Sequence, residues 1–247
     1  MVERASVLEM PFRVHSYEVD LSGQLAPVAL CRYFQEAAAV HATMWALGEA
    51  ALAAQNRLWV LARMAMEVGS LPTWGQSVTV TTWSRGPERV FAFRDFEVRS
   101  ATRSLVARGT SGWLMLDRTS RRPQRITTEG LTMPAYPDRH ALAADALSEA
   151  LPPPEAPGAL GERLARYSDL DVNGHVNNTK YVEWIMDALG AEPWRGQRLR
   201  SLVVNYLAEL SAGETVRVQT GPQRQFFALA NAAGKHVCRM RVTTTAR

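Results

Sequence analysis

The stretch Asp20-Leu-Ser-Gly-Gln-Leu-Ala-Pro-Val-Ala-Leu-Cys-Arg-Tyr-Phe-Gln-Glu-Ala37 returns, without a gap, as Asp171-Val-Asn-Gly-His-Val-Asn-Asn-Thr-Lys-Tyr-Val-Glu-Trp-Ile-Met-Asp-Ala188. Asp20 meets Asp171, Gly23 meets Gly174, Tyr33 meets Trp184 and Glu36 meets Asp187, all at an offset of 151 residues. Farther on, Gly75-Gln-Ser-Val78 meets Gly213-Glu-Thr-Val216 after a shorter connection. Only two copies exist and the period is long, so the chain is a duplication of one unit and not a solenoid.

Each copy has the same order of elements. A short strand leads into a turn and then a helix. The first helix begins near Pro27, a residue suited to the first helical turn, and fades near Gly48. The second spans Asn178 to Leu189 and stops at Gly190; Tyr181, Trp184, Ile185, Ala188 and Leu189 form one apolar stripe at helical spacing. Runs rich in β-formers follow each helix. In the first copy they are Leu58–Val68, Ser77–Trp83, Val90–Val98 and Leu105–Leu116; in the second, Leu199–Leu207, Thr215–Thr220, Gln225–Leu229 and His236–Thr244. One long helix followed by four hairpin-connected strands predicts an α+β fold, an antiparallel sheet wrapped around a helix, formed twice.

A Pro-rich segment separates the copies. It runs from Met133-Pro-Ala-Tyr-Pro137 to Leu151-Pro-Pro-Pro-Glu-Ala-Pro-Gly158, and such a cluster of Pro and Gly breaks helix and sheet alike. Asp138 to Leu151 is compatible with a short helix between the two clusters. The expected division is residues 1–130, a linker over 131–160, and residues 161–247.

The composition is that of an ordinary soluble globular protein: 247 residues, 47% apolar and 21% charged. No apolar run reaches 18 residues, so no transmembrane helix is expected. Met1 to Met10 has no apolar segment of a signal peptide, and the expected compartment is the cytoplasm. Cys31 and Cys238 form neither a metal-ligand spacing nor a redox pair and read as buried free thiols. No metal and no cofactor is expected. The net charge is +4, and only Lys180 and Lys235 among the 28 basic residues are lysine. The densest basic run, Arg118-Thr-Ser-Arg-Arg-Pro-Gln-Arg125, suits either a solvated loop or contact with an acidic partner. It has no interleaved aromatics, which argues against nucleic-acid binding.

The second copy carries the chemistry-bearing residues. Asp171, Asn173 and His175 alternate just before a helix. If that stretch is extended, a carboxylate, an amide and an imidazole share one face, beside the unpaired N–H groups and positive dipole end of the helix start. The competing reading is a turn, because Asp, Asn and Gly cluster in turns for backbone reasons alone, with Asn177 or Asn178 as helix N-cap.

The segment Asp169-Leu-Asp-Val-Asn-Gly-His-Val-Asn-Asn-Thr-Lys-Tyr-Val-Glu-Trp184 closely resembles the signature of the acyl-acyl-carrier-protein thioesterases of plants and bacteria, and Asn205-Tyr-Leu-Ala-Glu209 resembles the strand bearing that family's second carboxylate. The resemblance implies a tandem (double) hotdog fold and a site of Asp171, Asn173, His175 and Glu209. Plant members often have a Cys directly after that Glu; here Leu210 stands there, which removes support for a thiol nucleophile and leaves a carboxylate or water mechanism. Glu209 is then the base, Asn173 and His175 position water or thioester, and Asp171 orients them or fixes a tautomer. Backbone N–H groups near Val176–Asn178 are candidates for the oxyanion site. The first copy has Ser22, Gln24 and Leu71 at the positions of Asn173, His175 and Glu209. The implied division of labour is an acyl-chain-binding first half, with the apolar helix of Phe34, Ala37, Ala38, Val40, Met44, Trp45 and Leu47, and a catalytic second half. The implied partner is an acyl carrier protein bearing a fatty acyl chain; a homodimer is also compatible. The alternatives are an acyl-coenzyme A thioesterase and a non-catalytic acyl-binding hotdog protein.

Overall fold

A computed structural model describes residues 5–127, 133–147 and 149–246, and the chain divides into two units, Met1–Ser148 and Glu149–Arg247. In the first unit, strand β1 (Val7–Arg13) leads through a 3₁₀ turn to helix α1 (Pro27–Met44). Pro27 opens α1 because that position has no intrahelical partner for an N–H. A short helix α2 (Glu49–Ala53) follows, then β2 (Arg57–Val68), β3 (Ser77–Glu88), β4 (Phe91–Ser100), β5 (Leu105–Asp117) and the two-residue β6 (Pro123–Gln124). The strands pair antiparallel in the order β1-β3-β4-β5-β2, with β6 on β5.

The second unit repeats the plan with β7 (Gly158–Leu164), α3 (Asn178–Leu189), a short α4 (Glu192–Gly196), β8 (Gln197–Tyr206), β9 (Thr215–Thr220), β10 (Phe226–Asn231) and β11 (His236–Ala246). Its antiparallel order is β7-β9-β10-β11-β8, the order of the first unit element for element. Each unit is therefore a hotdog, and the chain is a tandem of two.

In unit one α1 packs on β1 and β3. Phe34 stacks on Phe96 of β4 with ring centroids 4.5 Å apart. A Cβ at Gly109 of β5 would stand 2.6 Å from the Phe34 ring, so glycine is what lets the helix approach there. In unit two α3 packs on β7, β9 and β10, burying Tyr181, Val182, Trp184 and Ile185. The bounds of α3 match the expectation; α1 stops four residues before Gly48, where Trp45 caps it and Ala46 takes a positive φ of 57°. The basic run 118–125 forms an exposed turn around Asp117, whose carboxylate accepts from the Ser120 N–H at 2.7 Å and the Thr119 N–H at 3.1 Å.

The Pro-rich segment differs from a free linker. Residues 133–147 form no helix; apart from two turns of their own, Arg139 N–H to the Tyr136 carbonyl and Ala146 N–H to the Ala143 carbonyl, their backbone groups bond to the sheet of unit one. Ala135 bridges Ser84, Trp83 Nε1 donates to the Arg139 carbonyl at 2.9 Å, and the Ala141 N–H donates to Asp95 Oδ1 at 3.2 Å. Arg63 donates to the Leu147 carbonyl at 2.6 Å, and Met133, Ala141, Leu142 and Leu147 are buried. Beyond it, Leu151 belongs to unit two: its N–H donates to Asn205 Oδ1 at 2.6 Å, and its carbonyl accepts from Arg239 at 2.9 Å. Of the predicted halves and linker, residues 1–4, 128–132, 148 and 247 lie outside the described residues.

The core of unit one also holds a polar knot. His41 of α1 is fully buried; Arg94 donates to its Nδ1 at 2.8 Å, and its Nε2 lies 2.9 Å from the Ala5 carbonyl. Arg94 has no lone pair, so Nδ1 accepts, Nε2–H donates, and the ring is neutral. Burial, and then the Arg94 charge, push the His41 pKa down to about 4. The unfolded chain binds this proton near pH 6.5 and the folded chain resists it, so stability is fully present above pH 6.5 and is lost as pH falls from 6.5 toward 4. The group contributes about 3 kcal/mol to that loss at 1.36 kcal/mol per pKa unit. Urea denaturation at pH 7.5, 6 and 5 should show the decline, and a His41→Leu variant should show a shallower one. An unchanged wild-type midpoint over this window would contradict the assignment.

Candidate active site

The turn before each helix is built from the same hydrogen bonds. In unit two the Asp171 N–H donates to the His175 carbonyl at 2.8 Å, the Gly174 N–H to the Asp171 carbonyl at 3.0 Å, and the Asn177 N–H to the Asp169 carbonyl at 2.8 Å. In unit one the matching bonds are Asp20 to Gln24 at 2.7 Å, Gly23 to Asp20 at 2.9 Å, and Ala26 to Glu18 at 2.8 Å. The Val176 N–H donates to the Leu210 carbonyl as the Leu25 N–H does to that of Pro72, both at 2.8 Å. This register makes Glu209 the counterpart of Leu71.

Residues 171–175 are thus a turn, and the extended arrangement of three side chains on one face does not occur. Gly174, at φ +77°, takes the left-handed conformation that closes it. Asp171 Oδ1 accepts from the N–H groups of Asn173 at 2.8 Å and His175 at 3.4 Å. Asp20 does the same for Ser22 and Gln24 at 2.8 and 3.3 Å. A carboxylate that serves both copies alike is a builder of the turn, and it orients Asn173 and His175 through their backbone.

The structure brings His175 and Glu209 together: Nε2 lies 3.7 Å from Oε2, with both side chains about one-third exposed. Glu209 does not lie on a strand; it sits in the loop after β8, before the bridge of His175 to Ser211. That loop is held by the Leu207 and Ala208 N–H groups, which both donate to the Val237 carbonyl, at 2.9 and 3.1 Å. Asn173 is exposed, and its backbone N–H donates to Asp171 Oδ1. The Val176 and Asn177 N–H groups proposed for an oxyanion site are already bonded to Leu210 and Asp169. Asn177 is the N-cap, its Oδ1 accepting from the Thr179 N–H at 3.0 Å.

Two residues around this pair escaped the sequence reading. Lys180 Nζ lies 3.0 Å from Glu183 Oε1 and 3.6 Å from Asp169 Oδ1, tying the helix start to the turn. The Tyr181 hydroxyl donates to the Ala208 carbonyl at 3.2 Å. The available signal was the duplication itself, which pairs Lys180 with Ala29 and Tyr181 with Leu30. Neither cysteine belongs here: both are buried, and burial pushes the Cys31 thiol up to about 12 and the Cys238 thiol higher still. Among the described residues no group of His, Cys, Asp and Glu is placed to hold a metal ion, and no helix is long and apolar enough to cross a membrane.

Comparison with known proteins agrees with the fold. The sequence profile of the acyl-ACP thioesterase N-terminal domain matches residues 5–133, and that of the C-terminal domain matches residues 161–244. A chloroplastic palmitoyl-acyl carrier protein thioesterase of Arabidopsis thaliana is 29% identical over 220 residues, 85% of this chain and 53% of the relative. A dodecanoyl-[acyl-carrier-protein] hydrolase of Cinnamomum camphora is 29% identical over 225 residues, 87% of this chain and 59% of the relative. The chain thus spans somewhat more than half the length of these relatives. Among solved structures, the 12:0-ACP thioesterase of Umbellularia californica is 26% identical with a TM-score of 0.87, covering 98% of both chains. An acyl-ACP thioesterase of Bacteroides thetaiotaomicron shares the fold at 24% identity, with a TM-score of 0.85 over 99% of this chain and 100% of that one. With both domain profiles matched in order on the two hotdog units, the chain belongs to the acyl-ACP thioesterase family.

Proposed function

We propose that this chain hydrolyses the thioester of a fatty acyl chain carried on acyl carrier protein and releases the free fatty acid. The observation that carries the reading is the His175–Glu209 pair at 3.7 Å, placed on a hydrogen-bonded frame that holds Gln24 and Leu71 in the other unit. The gap is too long for a direct hydrogen bond, and in this reading a water beside the pair contacts both side chains. Glu209 takes a proton from that water as its oxygen bonds to the thioester carbonyl carbon. The C–S bond then breaks, and the proton passes to the departing sulfur. His175 and the exposed Asn173 amide steady the water and the developing oxyanion, and Asp171 holds the turn that presents them.

The first unit, with its buried Phe34, Ala37 and Ala38 on α1, binds the acyl chain in this reading. Relatives named for palmitoyl and for dodecanoyl chains are equally similar at 29% identity, so the proposed substrate is the class of fatty acyl chains. The exposed Arg121 and Arg122 offer an acidic carrier protein a surface for faster association. The test is incubation with acyl-carrier proteins of several chain lengths while measuring free thiol and fatty acid. Release of both in equal amounts is expected. Acyl binding without thiol release would replace the reading with a binding protein, and release from acyl-coenzyme A alone would replace the carrier.

A water mechanism makes both thiols dispensable. A Cys31→Ala, Cys238→Ala double variant should keep most of its turnover per folded molecule. Loss of hydrolysis with an unchanged circular dichroism spectrum would restore a thiol nucleophile.

A further inference from the structure

The two units provide an internal control. On one shared frame, three side chains around one loop of the second are replaced in chemistry relative to the first: His175 for Gln24, Glu209 for Leu71 and Tyr181 for Leu30. The first two form the proposed catalytic pair. We infer that the third, Tyr181, is a positioning residue that fixes the loop presenting Glu209 to His175; the inference rests on the assignment of Glu209 as the base.

Leu30 and Tyr181 both stand at the fourth residue of their helices and are both buried, at 0% and 3% exposure. Packing at this position therefore needs no hydroxyl. A buried hydroxyl is unfavourable unless it is bonded, and this one is aimed at the carbonyl of Ala208, the residue before Glu209, at 3.2 Å. The other bonds of the loop have counterparts in unit one or lie on either side of this carbonyl. The Leu210 carbonyl is held by the Val176 N–H as that of Pro72 is by the Leu25 N–H. Leu207 and Ala208 use their N–H groups on Val237. Tyr181 thus supplies the restraint adjacent to the carboxylate, from the helix that directly follows His175.

The ring is itself held. Tyr206 meets it edge-on at 5.8 Å, and Trp184 lies 6.0 Å away. Burial raises the Tyr181 pKa above its ordinary value, so the hydroxyl stays a donor at any pH at which turnover is measured. A restrained loop keeps Glu209 within reach of the water that His175 also contacts, and sub-ångström placement of a base governs rate more than binding.

The test is a double-mutant cycle of Tyr181→Phe and Glu209→Gln, with kcat and KM taken per folded molecule on acyl-carrier protein. Tyr181→Phe alone should lower kcat by about tenfold, the scale of one hydrogen bond made useful in the transition state, with KM changed less than about twofold. In the Glu209→Gln background the same substitution should change kcat by less than about twofold, because residues acting through one group are not additive. Equal losses in both backgrounds would show a merely structural role and overturn the inference, as would an unchanged kcat for Tyr181→Phe. Near-normal turnover by Glu209→Gln itself would overturn the assignment of the base, and the inference with it.

Discussion

Glu209→Gln should lower turnover by about 10²–10⁴, the usual effect of losing a positioned general base, while leaving acyl binding in place. The amide keeps the shape of the side chain and removes its ability to take a proton. The Glu209 side chain is 37% exposed and follows the last bond of β8, so the substitution buries nothing new and should leave the folded fraction intact. Asn173→Ala and His175→Ala should also slow the reaction. Gln24→Ala, at the matching turn of unit one, should not touch the chemistry directly. Single-turnover assays with saturating enzyme in excess over the acylated carrier separate the chemical step from binding. Near-normal turnover by folded Glu209→Gln would remove Glu209 as the base and leave His175 as the candidate.

The duplication was legible because turns, helix starts and helix stripes leave local marks. Gly23 and Gly174 occupy left-handed positions at φ +74° and +77°, Pro27 opens one helix and Asn177 caps the other, and the α3 stripe from Tyr181 to Leu189 has one period throughout. Strand existence followed from β-formers, whereas strand ends depended on partners: β5 extends to Asp117 because Arg57 of β2 pairs with it. The short helices α2 and α4, five residues each, carry too little periodicity to be read.

The site was legible in its residues and misread in its local geometry. Alternation of Asp171, Asn173 and His175 has the period of a strand, but a carboxylate two and four residues before available N–H groups favours a turn, and Gly174 permits it. Tyr181 was counted as one more apolar residue of the helix face, because a hydroxyl cannot show in a hydrophobic pattern. The segment 133–147 was read as a linker from its Pro content; its anchors Trp83, Arg85 and Asp95 lie some fifty residues upstream, and no local pattern announces a contact of that range.

Those anchors lead to the second large effect: Asp95→Ala should destabilise unit one by about 3–5 kcal/mol, the cost of breaking a buried charged pair by removing one partner. Asp95 is fully buried on β4. Its Oδ1 accepts from Thr110 Oγ1 at 2.6 Å and from the Ala141 N–H, and its Oδ2 faces Arg85 at 3.8 Å. Burial raises its pKa, opposed by the Thr110 hydroxyl and the Arg85 charge. Truncation leaves a buried guanidinium, a hydroxyl and a backbone N–H without this carboxylate, and it frees the middle of the 133–147 segment. Urea denaturation followed by tryptophan fluorescence is a suitable measurement, since Trp83 is fully buried and bonded to that segment. Proteolysis within 133–147 should quicken in parallel, because local opening exposes a strap whose backbone bonds run to the sheet. An Arg85→Met, Asp95→Leu double variant should be less destabilised than Asp95→Ala alone, since exchanging a whole buried pair for apolar groups avoids the orphaned charge. A midpoint for Asp95→Ala within about 1 kcal/mol of wild type, below the span given for a broken buried pair, would show that the carboxylate does not clamp the segment, and that the apolar contacts of Met133, Ala141 and Leu142 hold it instead.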